Sequence, residues 1–140
     1  MLVDDSEIFN FIMKKLIQNI DPELNVYSFI YPEEALASLQ EINPDIIFLD
    51  LNMPIIDGWE FLNHMRERNL QYKTYIISSS TSEIDIQQSN NYKNVNGYLI
   101  KPVGEEKLAA ILQNTWFPGI VSSLLSYQHD IKSALMVKES

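Results

Sequence analysis

Residues 46–62 read IIFLDLNMPIIDGWEFL, and this stretch decides the fold. Its first four residues are all apolar, with Ile and Phe prominent, so they read as a short strand buried on both faces. A carboxylate, Asp50, closes that strand. Pro54 stiffens the loop that follows, and Asp57-Gly58 ends it at a place where glycine permits a backbone conformation that most residues avoid. A helix is expected over residues 59–68. Strand, acid, loop and helix together form half of a βαβ unit.

Working outward, the same alternation repeats. Short runs rich in Ile, Val, Tyr and Phe at residues 2–3, 26–30, 74–77 and 97–100 are the other strands. Between them, Ile8, Ile12, Leu16 and Ile20, with Phe9 and Met13 alongside, make one face of a helix starting near Ser6. A second helix follows Pro32, whose ring suits the first helical position. Glu33 and Glu34 favour the positive end of the dipole there, and Ala35, Leu36 and Leu39 turn inward. Ser82 with Asp85 forms a capping signal for a fourth helix, and Gly104-Glu105-Glu106 opens a fifth carrying Leu108, Ile111 and Leu112. Alternation of this kind predicts an α/β, doubly wound parallel sheet of five strands with five helices on its two faces.

Composition narrows the function classes. The chain has 140 residues, 46% hydrophobic and 21% charged, which fits one soluble domain with a real core. Nineteen acids against ten basic residues give a formal net charge of -9, which repels a phosphate backbone or an anionic membrane. Direct nucleic-acid binding is therefore not expected. No apolar stretch is long enough for a bilayer, and the opening MLVDDSE has acids where a signal peptide carries basic residues, so the cytoplasm is the expected location. The absence of Cys excludes disulfide and thiolate chemistry. A domain over residues 1–117 is expected, followed by an extension over 118–140. There Ile120, Val121, Leu124, Leu125, Ile131 and Leu135 have the spacing of an amphipathic helix.

The residues that close the strands carry the chemistry: Asp4 and Asp5, then Asp50, Ser78 and Lys101. In a parallel α/β sheet, the C-terminal strand ends meet in one crevice. Three carboxylates there repel one another unless a cation sits among them, and hard oxygen donors suit Mg2+. A hydroxyl and an ammonium beside such a metal match a phosphoryl group, which Asp50 would attack as nucleophile to form an aspartyl phosphate.

Taken together, Asp4-Asp5, the FLDLNMPIIDGWEFL segment around Asp50, Ser78-Ser79 and GYLIKP ending at Lys101-Pro102 resemble the receiver domain of two-component response regulators. The resemblance covers residues 1–114 and points to a stand-alone receiver with flavodoxin-like strand order 2-1-3-4-5. It implies that Asp50 accepts a phosphoryl group from a histidine kinase or phosphotransfer protein. Mg2+ would be held by the Asp5 and Asp50 carboxylates, the Asn52 backbone carbonyl, and Asp4 through water. Ser78 and Lys101 would contact the phosphoryl oxygens. In the implied switch, Ser78 moves toward the phosphoryl group, Tyr98 turns inward behind it, and the surface of the fourth helix, fifth strand and fifth helix changes for a downstream protein target or a second copy. Lys101-Pro102 is the family's expected cis peptide. Asn52 and Ser80 occupy positions that influence access of hydrolytic water.

Two features depart from the pattern. Only Met1, Leu2 and Val3 precede the acidic pair, so either residues before Met1 are missing from the first strand or the sheet is weakened there. The extension after Pro118 is too short for a conventional output module, so output is expected through protein contacts. Two competing readings use the same residues. A Mg2+-dependent phosphohydrolase with an aspartyl-phosphate intermediate needs a second acid two residues after the nucleophile, where Asn52 stands. A phosphorylation-independent interaction domain would not need the full set Asp4, Asp5, Asp50, Ser78 and Lys101. His64 and His129 lie near no phosphotransfer motif and are assigned no function.

Overall fold

The computed structural model describes residues 1–116, with side chains through Gln113. The elements are β1 (Leu2–Val3), α1 (Glu7–Ile20), β2 (Ser28–Phe29), α2 (Pro32–Ile42), β3 (Ile47–Asp50), α3 (Gly58–Glu67), β4 (Thr74–Ser78), α4 (Glu83–Ser89), β5 (Val95–Ile100) and α5 (Glu105–Trp116). Met1–Pro102 forms one compact unit, holding the whole sheet and α1 to α4, and a second unit begins at Val103 with α5. The expected amphipathic helix over 118–140, and His129 within it, lie outside the described residues.

All five strands are parallel, in the order β2-β1-β3-β4-β5. β1 is short but paired on both sides, Leu2 with Ser28 and Phe48, and Val3 with Phe29 and Leu49. Hydrogen bonds extend the ladder past its ends: Leu2 N–H to the Tyr27 carbonyl at 2.7 Å, Asp4 N–H to Phe29 at 3.1 Å, and Phe48 N–H to Met1 at 2.9 Å. The sheet is therefore continuous across residues 1–4, and Asp4 is held at its end.

β3 is buried throughout, as its unbroken apolar run requires. Ile47 and Leu49 join Val3 and Ile76 in one cluster with Ala35, Leu36 and Leu39 of α2 and Phe61, Leu62 and Met65 of α3. Each fully buried Leu, Ile or Phe contributes roughly 1.5–3 kcal/mol, so this layer anchors the strand that carries Asp50. Leu2, Phe48 and Ile77 alternate to the other face, which a right-handed crossover assigns to α1. β5 begins at Val95, earlier than the pattern predicted, and Gly97 lies beneath the Tyr75 ring, where an added Cβ would sit 3.0 Å from the ring.

Helix α1 corrects the sequence reading. It starts near Ser6 as expected, and Ser6 caps it, its Oγ accepting from Phe9 N–H at 3.2 Å. Ile8 and Ile12, however, are 74% and 50% exposed, and the buried residues are Asn10, Met13 and Ile17. Apolar residues at 8, 9, 11, 12, 13, 16, 17 and 20 surround much of this helix, so periodicity alone fits more than one stripe. A polar contact selects between them: Asn10 Nδ2 donates to the carbonyls of Asp4 at 2.9 Å and Phe29 at 3.3 Å. This amide ties together the ends of β1 and β2, adding a second donor to the Phe29 carbonyl that Asp4 N–H already bonds. α2 matches expectation, with Pro32 at its start and Ala35, Leu36 and Leu39 buried. In the second unit, α5 starts after Gly104, and Leu108, Ile111 and Leu112 are buried.

Candidate functional site

Asp4 follows β1 and Asp50 ends β3, both buried, while Asp5 is exposed. One carboxylate oxygen from each lies within 4.8 Å of the others. The strand-end convergence read from sequence thus holds for all three acids. Asp4 is the most constrained: its Oδ1 accepts from Ser6 N–H at 2.8 Å and its Oδ2 from Lys101 Nζ at 2.7 Å. Lys101 Nζ also stands 3.6 Å from Asp50 Oδ1, so one ammonium serves two carboxylates. Backbone pairing delivers it there, because Lys101 N–H donates to the Ser78 carbonyl at 2.9 Å and continues the β4–β5 ladder. The Lys101–Pro102 peptide is cis.

Asp50 is only 4% exposed, and burial pushes its carboxyl from the ordinary 3.8 up to about 6. The Asp4 charge adds to that rise and Asp5 adds less, while Lys101 and the Asn52 backbone N–H oppose it. The Asn52 side chain is exposed. Among the described residues, Lys101 pairs with two of these three acids, and the all-oxygen donor set fits a hard divalent cation such as Mg2+.

Ser78 is fully buried at the end of β4, and its Oγ accepts from Ser80 N–H at 3.0 Å. Tyr98 is half-buried against the core and donates from its hydroxyl to the Ser80 carbonyl at 2.9 Å. Ser80 Oγ in turn donates to Asp85 Oδ2 at 2.7 Å and accepts from Ser82 N–H at 3.2 Å. The residue joining Ser78, Tyr98 and the start of α4 is therefore Ser80, a connection that sequence reasoning missed. Ser82 does occupy the N-cap, but its side chain makes no capping bond, so the Ser82–Asp85 signal gives way to the Ser80–Asp85 contact. A run of serines followed by Asp85 was the available signal, and a polar loop produces the same run.

The loop after Asp50 also differs from its expected device. Gly58 has no positive φ; its reason is space, since an added Cβ would lie 2.6 Å from the Asp50 carbonyl oxygen and 2.7 Å from Leu51 Cα. The residue with a positive φ is Ile55, at 71°, the centre of a turn closed by Ile56 N–H donating to the Pro54 carbonyl at 2.8 Å, and it is 82% exposed. A β-branched side chain in that region costs roughly 1–2 kcal/mol. Ile55→Gly should therefore raise unfolding stability by up to about 1 kcal/mol, as glycine adopts a positive φ without a Cβ clash and little burial is lost. Urea denaturation measures it; a lower midpoint for the variant would contradict the strain assignment.

The model for the response regulator receiver domain matches residues 1–113. The chain belongs to the response regulator receiver family. Among curated relatives, this receiver is 31% identical over 113 residues to the nitrate/nitrite response regulator protein NarL of Escherichia coli K12, covering 80% of the chain and 51% of NarL. It is 30% identical over 115 residues to the cyclic di-GMP phosphodiesterase response regulator RpfG of Xanthomonas campestris, covering 81% of the chain and 30% of RpfG. The receiver thus spans about half or less of these relatives. Among solved structures, Vibrio cholerae chemotaxis protein CheY4 aligns with TM-score 0.71 at 28% identity, over 81% of this chain and 94% of that one. A two component response regulator from Cytophaga hutchinsonii aligns with TM-score 0.72 at 26% identity, over 82% and 93%. The chain is a receiver domain of two-component signal transduction, a phosphoacceptor signalling class. Among the described residues no helix is long and apolar enough to cross a membrane.

Proposed function

We propose that this receiver accepts a phosphoryl group on Asp50 and answers by changing how Ser78 and Tyr98 meet the β4–α4 loop. The observation that carries the reading is the buried carboxylate of Asp50, raised by burial and Asp4, within 3.6 Å of the Lys101 ammonium. An Asp50 carboxylate oxygen attacks phosphorus, and the bond from phosphorus to the donor's histidine nitrogen breaks. The bonding pair returns to the imidazole, leaving an acyl phosphate on Asp50. The Asp5 and Asp50 carboxylates, the Asn52 carbonyl and, through water, Asp4 would hold Mg2+. When bound, that ion would neutralise charge on the transferring group. Lys101 neutralises phosphoryl oxygens from the β5 side, and the Ser78 hydroxyl donates to one of them.

Switching follows from the same atoms. When Ser78 turns to the phosphoryl group, its Oγ leaves Ser80 N–H, which changes the segment that also holds Tyr98 and Asp85. The donor is a histidine kinase or phosphotransfer protein, and the readout is a downstream protein target. Ile8, Phe11 and Ile12, exposed on the helix that follows Asp5, offer apolar surface that a protein donor would cover.

Lys101→Ala tests the assignment. The variant should retain Mg2+ binding, accept phosphoryl from acetyl phosphate about a hundredfold more slowly, and lose phosphorylation-induced NMR shifts at Tyr98. A wild-type rate together with wild-type shifts would refute the role given to Lys101.

A further inference from the structure

The geometry points to Phe9 as a positioning residue for Lys101, an inference that rests on the phosphoacceptor reading above. Lys101 Nζ lies over the Phe9 ring, 4.2 Å from its centroid, in a cation–π contact. The same nitrogen is 2.7 Å from Asp4 Oδ2 and 3.6 Å from Asp50 Oδ1. The ammonium is therefore enclosed by two carboxylates and one aromatic face, with the Lys101 side chain only 21% exposed.

Each wall has a different effect. A lysine stem has four rotatable bonds, and ordering it is costly in side-chain entropy. Asp4 alone would draw the ammonium to its own carboxylate and away from the acceptor. The Phe9 ring attracts the cation without bearing a formal charge and without offering an oxygen to the metal site. Cation–π attraction also leaves the three N–H donors free to turn, so the ammonium can exchange a carboxylate for a phosphoryl oxygen while staying against the ring.

The chain holds Phe9 for this use. It sits in the first turn of α1, its backbone N–H bonded to the Ser6 cap at 3.2 Å. The next residue, Asn10, is bonded to the Asp4 and Phe29 carbonyls. Asp4 and Phe9 are thus fixed relative to each other by a cap and an amide bridge, and Lys101 arrives between them from β5. A leucine at position 9 would fill similar space and repel water equally, but would present no negative face.

The test uses the full chain with fluorinated phenylalanines at position 9, from one to five fluorines, which weaken the ring's face with little change in volume. Phe9→Leu and Phe9→Tyr complete the set. One readout is the ring-current shift of the Lys101 ε-methylene protons in metal-free protein. The other is the initial rate with acetyl phosphate and Mg2+. Phe9→Leu should lose the upfield ε-methylene shift and phosphorylate about fivefold more slowly. The rate should fall in step with fluorination, and Phe9→Tyr should restore both readouts. A flat fluorination series would overturn the proposal, even if Phe9→Leu is slow, because packing would then explain the loss. Lys101→Ala separates the two levels. An unimpaired Lys101→Ala means the phosphoacceptor reading of Lys101 has failed, whereas an impaired one beside a flat series removes only Phe9.

Discussion

Asp50→Asn should make the metal-free receiver more stable at about pH 8, by up to about 3 kcal/mol, while ending its phosphorylation. The gain arises because the wild-type carboxyl titrates near 6 in the folded chain against an ordinary 3.8. Between those values the folded state holds a proton that the unfolded state has released, so stability falls as pH rises through the window. Above about pH 7 the full cost of a buried charge beside Asp4 is present, and Asn does not incur it. Below about pH 3 the carboxyl is largely protonated in both states of the wild type and the advantage vanishes. Denaturation midpoints across pH measure this directly. A wild-type to variant difference that stays constant from acid to alkaline pH would show that Asp50 carries no such burden. Added Mg2+ should stabilise the wild type more than the variant, since a ligand that binds only the folded site stabilises by mass action.

Gly58→Ala should be the most damaging single methyl added near the site. Its Cβ would stand 2.6 Å from the Asp50 carbonyl oxygen, 2.7 Å from Leu51 Cα and 2.9 Å from Leu51 Cδ2. Two of those three neighbours are backbone and cannot rotate aside. Gly58 N–H is also bonded to the Leu51 carbonyl at 2.9 Å, so the clash and the hydrogen bond compete for the same segment. Relief requires α3 to move from β3, which disturbs Phe61, Leu62 and Met65 in the core. A loss of about 3 kcal/mol in unfolding free energy is expected, with slower phosphoryl acceptance because Asp50 lies at the displaced junction. Equal stability and equal acceptance rates in Gly58→Ala would show that the junction has more room than its geometry gives.

Much of the fold was legible because two independent signals coincided. A continuous apolar run marked β3 as buried, and polar residues at strand ends marked the side on which the chemistry gathers. Asp4, Asp5, Asp50 and Lys101 met as expected because parallel order places those ends together. What was misread depended on choices that periodicity does not encode. The orientation of α1 is set by Asn10 reaching two carbonyls, a polar contact inside an apolar pattern. Gly58 was read as a conformational glycine, but it is a steric one, and the unusual backbone angle fell on Ile55. Ser80 looked like one serine of a polar loop until Ser78, Tyr98 and Asp85 all bonded to it. These are contacts between elements, and a local pattern gives no distance across a fold.

The most direct test of the central claim is intact mass after incubation with acetyl phosphate, with and without Mg2+, for wild type and Asp50→Asn. The account predicts one phosphoryl adduct on the wild type, dependent on Mg2+ and absent from the variant. An adduct of equal yield on Asp50→Asn, or one indifferent to Mg2+, would contradict it.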